Sequence, residues 1–420
     1  MVQPISPADA VALLKPGMRV FLQGMANESR AFLAALSANP RRAAGVTFTG
    51  VWLPGMNSFD FAGLHEEARA EGIFVSPSVR KSFDAGRFDH IPVSYAGFDL
   101  WLREQDFDIA ILQCAPPDAA GRCSFGLNAD FGSRAATRAR MVVAHINPLL
   151  PSNQHDEGLT YQAISAAFEL DEVPAESPSG TADPQLEAVA RNAAALVQDG
   201  DTIQIGIGKV QVAIMALVTD RNDLGLHSGI LTDELAALIR NGQMNGSRKA
   251  IDTGLHVTMA AAGTAADAYA LMHNPRVALR PAAYTHSPRT LMQLPNLVCL
   301  NSALEVDLFG QANGETANGR MVSGGGGLSD FGGAARQQIG ARSVLALPAA
   351  TPSGKTRIVP QLGTPASLRR NEADIVVTEH GVAHLRHLSL DGRASALIDI
   401  ASPQHRDALR EAWRDMRRKL

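Results

Sequence analysis

The stretch SGGGGLSDF (323–331) places Gly324, Gly325, Gly326 and Gly327 in a row. Such a run is unfavourable inside a helix or strand. In a loop it lets successive backbone N–H groups point inward and lets a ligand approach the main chain, which suits a phosphate or an oxyanion. A second stretch, GIGKVQVAIMALV (206–218), reads as a glycine turn opening a helix, a shape that can receive an anion at the helix N-terminus. It is not GxGxxG, because Gly206 and Gly208 are followed by Gln211, and it is not a P-loop, because GxxxxGK[ST] is absent. Nucleotide binding of those two kinds is not expected. In VTEHGVAHLRH (377–387), His380 and His384 stand four apart, as on a metal-binding helix. Glu379 precedes the first histidine, and Gly381 weakens a helix there, so a turn with surface histidines is expected and no metal is predicted. Finally, LHSGILTD (226–233) reads as a strand running into a helix with Thr232 or Asp233 as N-cap. Reacting groups are usually presented at such junctions, yet the tip of this one is Gly229, which has no side chain.

The elements that position these loops repeat. SPADAVALL starts a helix at Ser6, with Pro7 at its first position and Asp9 in its first turn, and MRVFLQG follows as a strand. From Leu186 the order recurs: EAVARNAAALV as helix, QDG as its end, DTIQIGIG as strand. Gly17 matches Gly200, Leu14 matches Val197 and Leu22 matches Ile205. Residues 106–131 and 304–331 also resemble each other, each closing on Asp-Phe before a helix-like stretch and a strand. A repeat of this length predicts two similar α/β domains with mostly parallel sheets and flanking helices. PAESPSGTADP (174–184) is the expected linker, giving domains 1–177 and 178–420. A cleft between them, at the carboxyl ends of the strands, is the expected site.

Composition narrows the function classes. The chain has 420 residues, 45% of them hydrophobic, and a net charge of −4, so no basic surface for nucleic acid is implied. No apolar run is long enough to span a membrane, and MVQPISPADA does not read as a secretory signal. Three scattered cysteines, Cys114, Cys123 and Cys299, suggest neither disulfides nor a zinc site and point to a reducing cytoplasm.

NSALEVDLFGQAN, SGGGGLSDF and VTEHGVAHLR, with QCAPPDAAGRCSFG, HINPLLPSN, YTHSP and ALPAATPSGKTRIVP in the same order, resemble the acetyl-CoA hydrolase/transferase family, which includes the 4-hydroxybutyrate CoA-transferases. The resemblance covers nearly the whole chain. It implies two CoA-transferase-type domains, acyl-CoA as substrate at their interface, no permanently bound cofactor, a possible carboxylic acid acceptor, and a homodimer or larger assembly. It further implies that the C-terminal domain carries most of the CoA site. SGGGGLSDF would cradle the thioester or CoA with Gly325 and Gly326 as backbone donors, His286 of YTHSP would orient the acyl group, and Gly381 would lie in a segment lining the CoA site. In one respect the chain departs from the pattern. CoA-transferases of the family read like HTEM where this chain has LHSGILTD, and their Glu attacks the thioester. Aligning His227 with the family His puts Gly229 at the nucleophile.

Thioester cleavage needs no enzyme nucleophile if a base activates water and a nest stabilises the oxyanion. Glu28 of QGMANES, at the end of the first strand of the N-terminal repeat, is the foremost candidate base, with about Gln211 as its repeat partner; a first-turn acid is the alternative reading. His227 and His286 can act as acid or base near neutral pH. Asp233 is expected to cap a helix, and Glu305 and Asp307 to do structural work. Trp52, Met56 and Phe59 suit either an acyl pocket or core packing.

Overall fold

Ser6 begins the first helix as its side chain dictates. Its hydroxyl accepts from Asp9 N (3.1 Å), and the Asp9 carboxylate accepts from Ser6 N (2.9 Å), a reciprocal cap with Pro7 at the first helical position. The helix Pro7–Ala12 leads through Gly17, at φ +86°, to the strand Arg19–Leu22. In the second half the helix Glu187–Ala194 leads through Gly200, at φ +81°, to the strand Thr202–Ile205. Both glycines hold a left-handed turn that a side chain would strain. Leu14, Val197, Leu22 and Ile205 are all buried.

The computed structural model describes residues 2–177, 183 and 186–420. Two eight-stranded sheets organise it. The first contains β1 (Gln3–Pro4), β2 (Arg19–Leu22), β3 (Thr47–Gly50), β4 (Arg69–Gly72), β5 (Phe88–His90), β6 (Phe107–Cys114), β7 (Ala139–Ile146) and β8 (Ala166–Glu169). The second contains β9 (Thr202–Ile205), β10 (Gly225–Leu231), β11 (His256–Ala261), β12 (Val277–Leu279), β13 (Leu297–Asn301), β14 (Arg342–Ala346), β15 (Ile375–Thr378) and β16 (Gly381–His384). The spatial orders, β5-β4-β3-β2-β6-β7-β8-β1 and β12-β11-β10-β9-β13-β14-β15-β16, are the same. All neighbours are parallel except β15 and β16, which form a hairpin. Helices flank the sheets, which makes this the two-unit α/β fold expected from the repeat.

That equivalence corrects one register. The apolar run of β6 corresponds to β13, not to residues 304–308. Glu305–Asp307 instead enters a separate three-stranded sheet with Ala312–Asn313 and Ile358–Val359. A short alternating strand looks alike in sequence whichever sheet it joins. The Asp307 carboxylate works as a turn holder there, accepting from the backbone N–H groups of Phe309 and Gln311.

One apolar cluster spans both sheets. Phe21, Tyr95 and Phe131 belong to the same apolar cluster as Ile203, Ile230 and Met259. Backbone hydrogen bonds stitch the units together: Ala129 N donates to Met259 O (3.0 Å), Ala261 N to Leu127 O (2.8 Å) and Tyr95 N to Gly326 O (3.2 Å). Most of the linker stretch, residues 178–182 and 184 and with them the 177/178 boundary, lies outside the described residues. Just before it, Ser177 N donates to Gly263 O (2.9 Å). The terminal helix Arg406–Arg417 is amphipathic, burying Leu409 and Trp413 and leaving its charges in solvent.

Candidate active site

The glycine run lies between the units and leads into the helix Leu328–Arg336, with Gly327 at the N-cap position. Three of its glycines are required by geometry. A Cβ on Gly324 would sit 1.8 Å from Ile73 O of the first unit, Gly326 has φ +54°, and a Cβ on Gly327 would sit 2.8 Å from the His286 ring. Only Gly325 has ordinary room, its nearest neighbour being Glu315 Oε1 at 3.5 Å. Across the interface, the N-cap Ser94 of the helix Tyr95–Arg103 donates its hydroxyl to Asp330 Oδ1 (2.6 Å), and Ala96 N donates to Asp330 Oδ2 (3.1 Å). These contacts fix the run against the first unit. The N–H groups of Gly324, Gly325, Gly326 and Gly327 have no acceptor among the described residues, and all four glycines line a cavity of about 240 Å³. Consecutive free amides at a helix N-terminus form a site for negative charge.

Opposite the run stands His286. Its ring stacks on Tyr95 (centroids 4.8 Å apart, 19° between planes) and meets Phe331 edge-on (4.8 Å). Burial, reinforced by His227, pushes its pKa down to about 3, so the ring is neutral at ordinary pH. The Thr285 hydroxyl has one proton and two acceptors in reach, Pro281 O (3.3 Å) and His286 Nδ1 (2.9 Å). Donation to Pro281 leaves the imidazole proton on Nδ1 and a lone pair on Nε2; donation to Nδ1 puts the proton on Nε2. In either tautomer Nε2 is the ring atom turned toward Gly229 and Gly327.

Gly229 is not at a loop tip. It lies inside β10, between Ser228, opposite Thr258, and Ile230, opposite Ala260. A Cβ there would stand 3.0 Å from His286 Cε1 and 3.1 Å from Nε2, so the ring packs against bare backbone. His227, two residues earlier on the same face of the strand, is fully buried. Its Nε2 donates to Thr285 O (3.0 Å), and burial, with Lys249 nearby, pushes its pKa down to about 4. It supports the His286 turn and does not line the cavity.

The helix after β10 starts at Asp233, with Thr232 at the N-cap position but its hydroxyl unbonded. Asp233 is not the cap: its Oδ1 accepts from Thr264 N and Ala268 N, both at 3.0 Å, and so holds the neighbouring loop.

Of the other expected site residues, Gly206 lines the cavity, and a Cβ there would stand 2.7 Å from Asn301 Oδ1. Gly208, at φ +147°, lines an adjoining chamber instead. Gly381 lines neither. It opens β16 in the edge hairpin, paired with Thr378, so no helix carries His380 and His384. Among the described residues no group of three or more His, Cys, Asp or Glu side chains could hold a metal ion.

Glu28 does not reach the cavity either. The loop after β2 turns at Met25, which takes a left-handed φ of +53°, and it is Met25 that lines the cavity. Glu28 turns toward Asn57 and Glu172. Burial raises its pKa to about 7, with the Asn57 amide pulling down and the Glu172 charge pushing up, and its Oε1 has no hydrogen-bond partner. Among the described residues no Asp or Glu lines the cavity.

Sequence reading missed Tyr95, Gln204 and Asn301, all in the cavity wall. Gln204 and Asn301 exchange hydrogen bonds across β9 and β13 (3.2 and 2.9 Å). Both are polar side chains in fully buried strands, TIQI and LVCLN, at positions flanked by Ile or Leu, which was the available signal. Of the proposed acyl-pocket residues, Met56 lines the adjoining chamber, whereas Trp52 and Phe59 pack on Phe61.

Comparison with known proteins agrees with this arrangement. The acetyl-CoA hydrolase/transferase N-terminal domain matches residues 3–176, and the C-terminal domain of the same family matches 264–413. The chain is 30% identical over 410 residues to the 4-hydroxybutyrate coenzyme A transferase of Clostridium kluyveri, covering 96% of each. It belongs to the acetyl-CoA hydrolase/transferase family. Another relative, an acetyl-CoA hydrolase of Candida albicans, is 28% identical over 220 residues, 50% of this chain and 40% of that one. Among solved structures, RipA from Yersinia pestis superposes with a TM-score of 0.91 at 28% identity, covering 99% of this chain and 98% of that one. The chain is thus a CoA-thioester enzyme of this family, whose members named here include both a transferase and a hydrolase.

Proposed function

We propose that this enzyme hydrolyses acyl-CoA thioesters directly, with water as nucleophile and without a glutamyl-CoA intermediate. One observation carries the reading: among the described residues no carboxylate lines the cavity, and the site facing the free amides offers Gly229 and His286 Nε2 instead. In this scheme the thioester carbonyl oxygen lies in the amides of Gly324–Gly327. His286, with its proton on Nδ1, takes a proton from water through Nε2 as the water oxygen bonds to the carbonyl carbon. The tetrahedral oxyanion is stabilised by the glycine amides. Its collapse breaks the C–S bond, and the leaving thiolate takes the proton from the imidazolium, giving a carboxylic acid and free CoA. Burial keeps the imidazole neutral and its lone pair available. A base of such low pKa is weak in isolation, and the adjacent oxyanion stabilises the imidazolium as both form together.

Transfer to an acceptor acid is the second reading, favoured by the named activity of the Clostridium kluyveri relative over 96% of the chain. It needs an enzyme carboxylate in reach of the thioester; Glu28 is turned away, and Glu315, whose Oε1 neighbours Gly325, does not line the cavity. We place the enzyme in a reducing compartment, supported by three free cysteines, all buried, and among the described residues no helix is long and apolar enough to cross a membrane. A homo-oligomer is expected from the family resemblance. The test is release of free CoA from acyl-CoA with no acid added. Turnover that begins only on adding an acceptor, with ping-pong kinetics, contradicts hydrolysis.

A further inference from the structure

In the serine–histidine–aspartate arrangement a buried carboxylate orients the imidazole and stabilises its protonated form. Among the described residues no carboxylate bonds to His286. Its Nδ1 meets the Thr285 hydroxyl (2.9 Å), and burial and His227 both work against a positive charge on the ring. What lies over the imidazole is the ring of Tyr95, supplied by the first unit, with centroids 4.8 Å apart and 19° between planes. An aromatic face within about 6 Å attracts a cation, more strongly where water is excluded. Tyr95 is buried, and that burial, with the Asp130 charge, pushes its phenol pKa well up, so the ring stays uncharged.

The stack is held across the interface by the two Asp-Phe pairs that close the repeated segments. Asp330 accepts from Ser94 Oγ and Ala96 N at the start of the helix that begins with Tyr95. Asp130 O accepts from Ala282 N (2.9 Å) at the start of the short helix Ala282–Thr285, which His286 terminates. Phe131 lies nearly parallel to Tyr95 (5.6 Å, 15°), and Phe331 meets His286 edge-on. Each unit thus anchors the helix that carries the other unit's ring.

We propose that Tyr95 is a positioning residue of the reaction: its ring face holds the imidazole with Nε2 toward Gly229 and Gly327, and it attracts the positive charge that His286 takes up with the proton from water. That charge exists only once the proton moves, so the attraction favours the transition state over bound substrate and acts on kcat, not on KM. The inference rests on the hydrolase reading, in which His286 is the base.

The test replaces Tyr95 in the full chain by Phe and then by mono-, di- and trifluorinated phenylalanine. Free CoA released without an acceptor is measured on whichever of acetyl-, butyryl- and hexanoyl-CoA the parent cleaves fastest. Tyr95→Phe should keep kcat within about threefold, because the face is retained. Each fluorine weakens the negative face at nearly constant size, so kcat should fall stepwise, about fivefold or more in all, with KM within about twofold. Tyr95→Leu should lose about tenfold or more in kcat; if it fails to fold, the fluorinated series carries the test. A ring that only fills space gives a flat series. A flat series in folded variants, a series that moves KM and not kcat, or a loss at Tyr95→Phe as large as at Tyr95→Leu overturns the inference and leaves the hydrolase reading standing. Failure of the parent chain to hydrolyse any of the thioesters overturns both.

Discussion

The two units build the same sheet and use its carboxyl end in opposite ways. In the first unit the glycines there are packed against main chain. A Cβ on Gly24 would sit 2.1 Å from Val51 O, one on Gly50 2.5 Å from Leu22 O, and one on Gly72 2.8 Å from Gly50 O, with the Trp52 indole close to all three. That end is solid. In the second unit Gly206 faces the Asn301 amide, Gly229 faces the His286 ring, and both line a cavity. That end is hollow and polar. Glycine therefore means close packing in one half and an opening in the other, and only the neighbour that a Cβ would meet tells the two apart.

The comparison is most easily broken at the hollow end. His286→Gln removes the base while keeping an uncharged polar side chain, and thioester hydrolysis should fall about 10²–10⁴-fold. A loss under tenfold in steady-state kcat would assign the proton transfer elsewhere. Gly324→Ala drives a methyl into Ile73 O and should displace the amides, costing about 10² in kcat. Its counterpart at the solid end, Gly50→Ala, should cost stability, about 1–3 kcal/mol by urea titration. Turnover per folded molecule should stay within about threefold, a margin small against the effect of one lost oxyanion donor.

Glu28→Gln tests the solid half in a different way. Burial raises the folded-state pKa of Glu28 from its ordinary value of 4.5 to about 7. Between those values the native state holds more protons than the unfolded state, so this group's contribution to stability falls as pH rises through the window. The variant should therefore be more stable than the parent at pH 8, by about 1–3 kcal/mol, with the gap closing toward pH 5. Turnover should change little, since Glu28 is turned toward Asn57 and Glu172. A large loss of kcat with an intact fold would return Glu28 to the reaction.

The smallest effect is the pH dependence. With the His286 pKa pushed down to about 3, kcat should show no acid limb of ordinary histidine type between about pH 5.5 and 8. A limb near 6.5 would mean that the working base is a different, exposed group.

The framework was legible because it is written in local signals. Ser6, Pro7 and Asp9 announce a helix start, and Gly17 and Gly200 mark equivalent left-handed turns, so the repeat and the parallel sheets could be read before any contact was known. The glycine run was legible for the same reason. Glu28 was misplaced because its direction depends on Met25 adopting a left-handed φ, which is uncommon for a side chain of that kind and leaves no mark in sequence. That Gly381 opens an edge hairpin and stands outside this cavity was not legible, because a glycine in a hairpin and one in a ligand loop are written alike. Tyr95 enters the site from the other unit, a tertiary fact that no periodicity records.

The central claim is that water, and no carboxylate of the enzyme, attacks the thioester. Turnover of an acyl-CoA in ¹⁸O-labelled water, with no acceptor acid, tests it most directly. Direct hydrolysis predicts free CoA in step with product acid, one labelled oxygen in each carboxylate formed, and no adduct trapped by borohydride. No CoA release until an acceptor acid is added, with a borohydride-trapped glutamyl thioester on the chain, would contradict it.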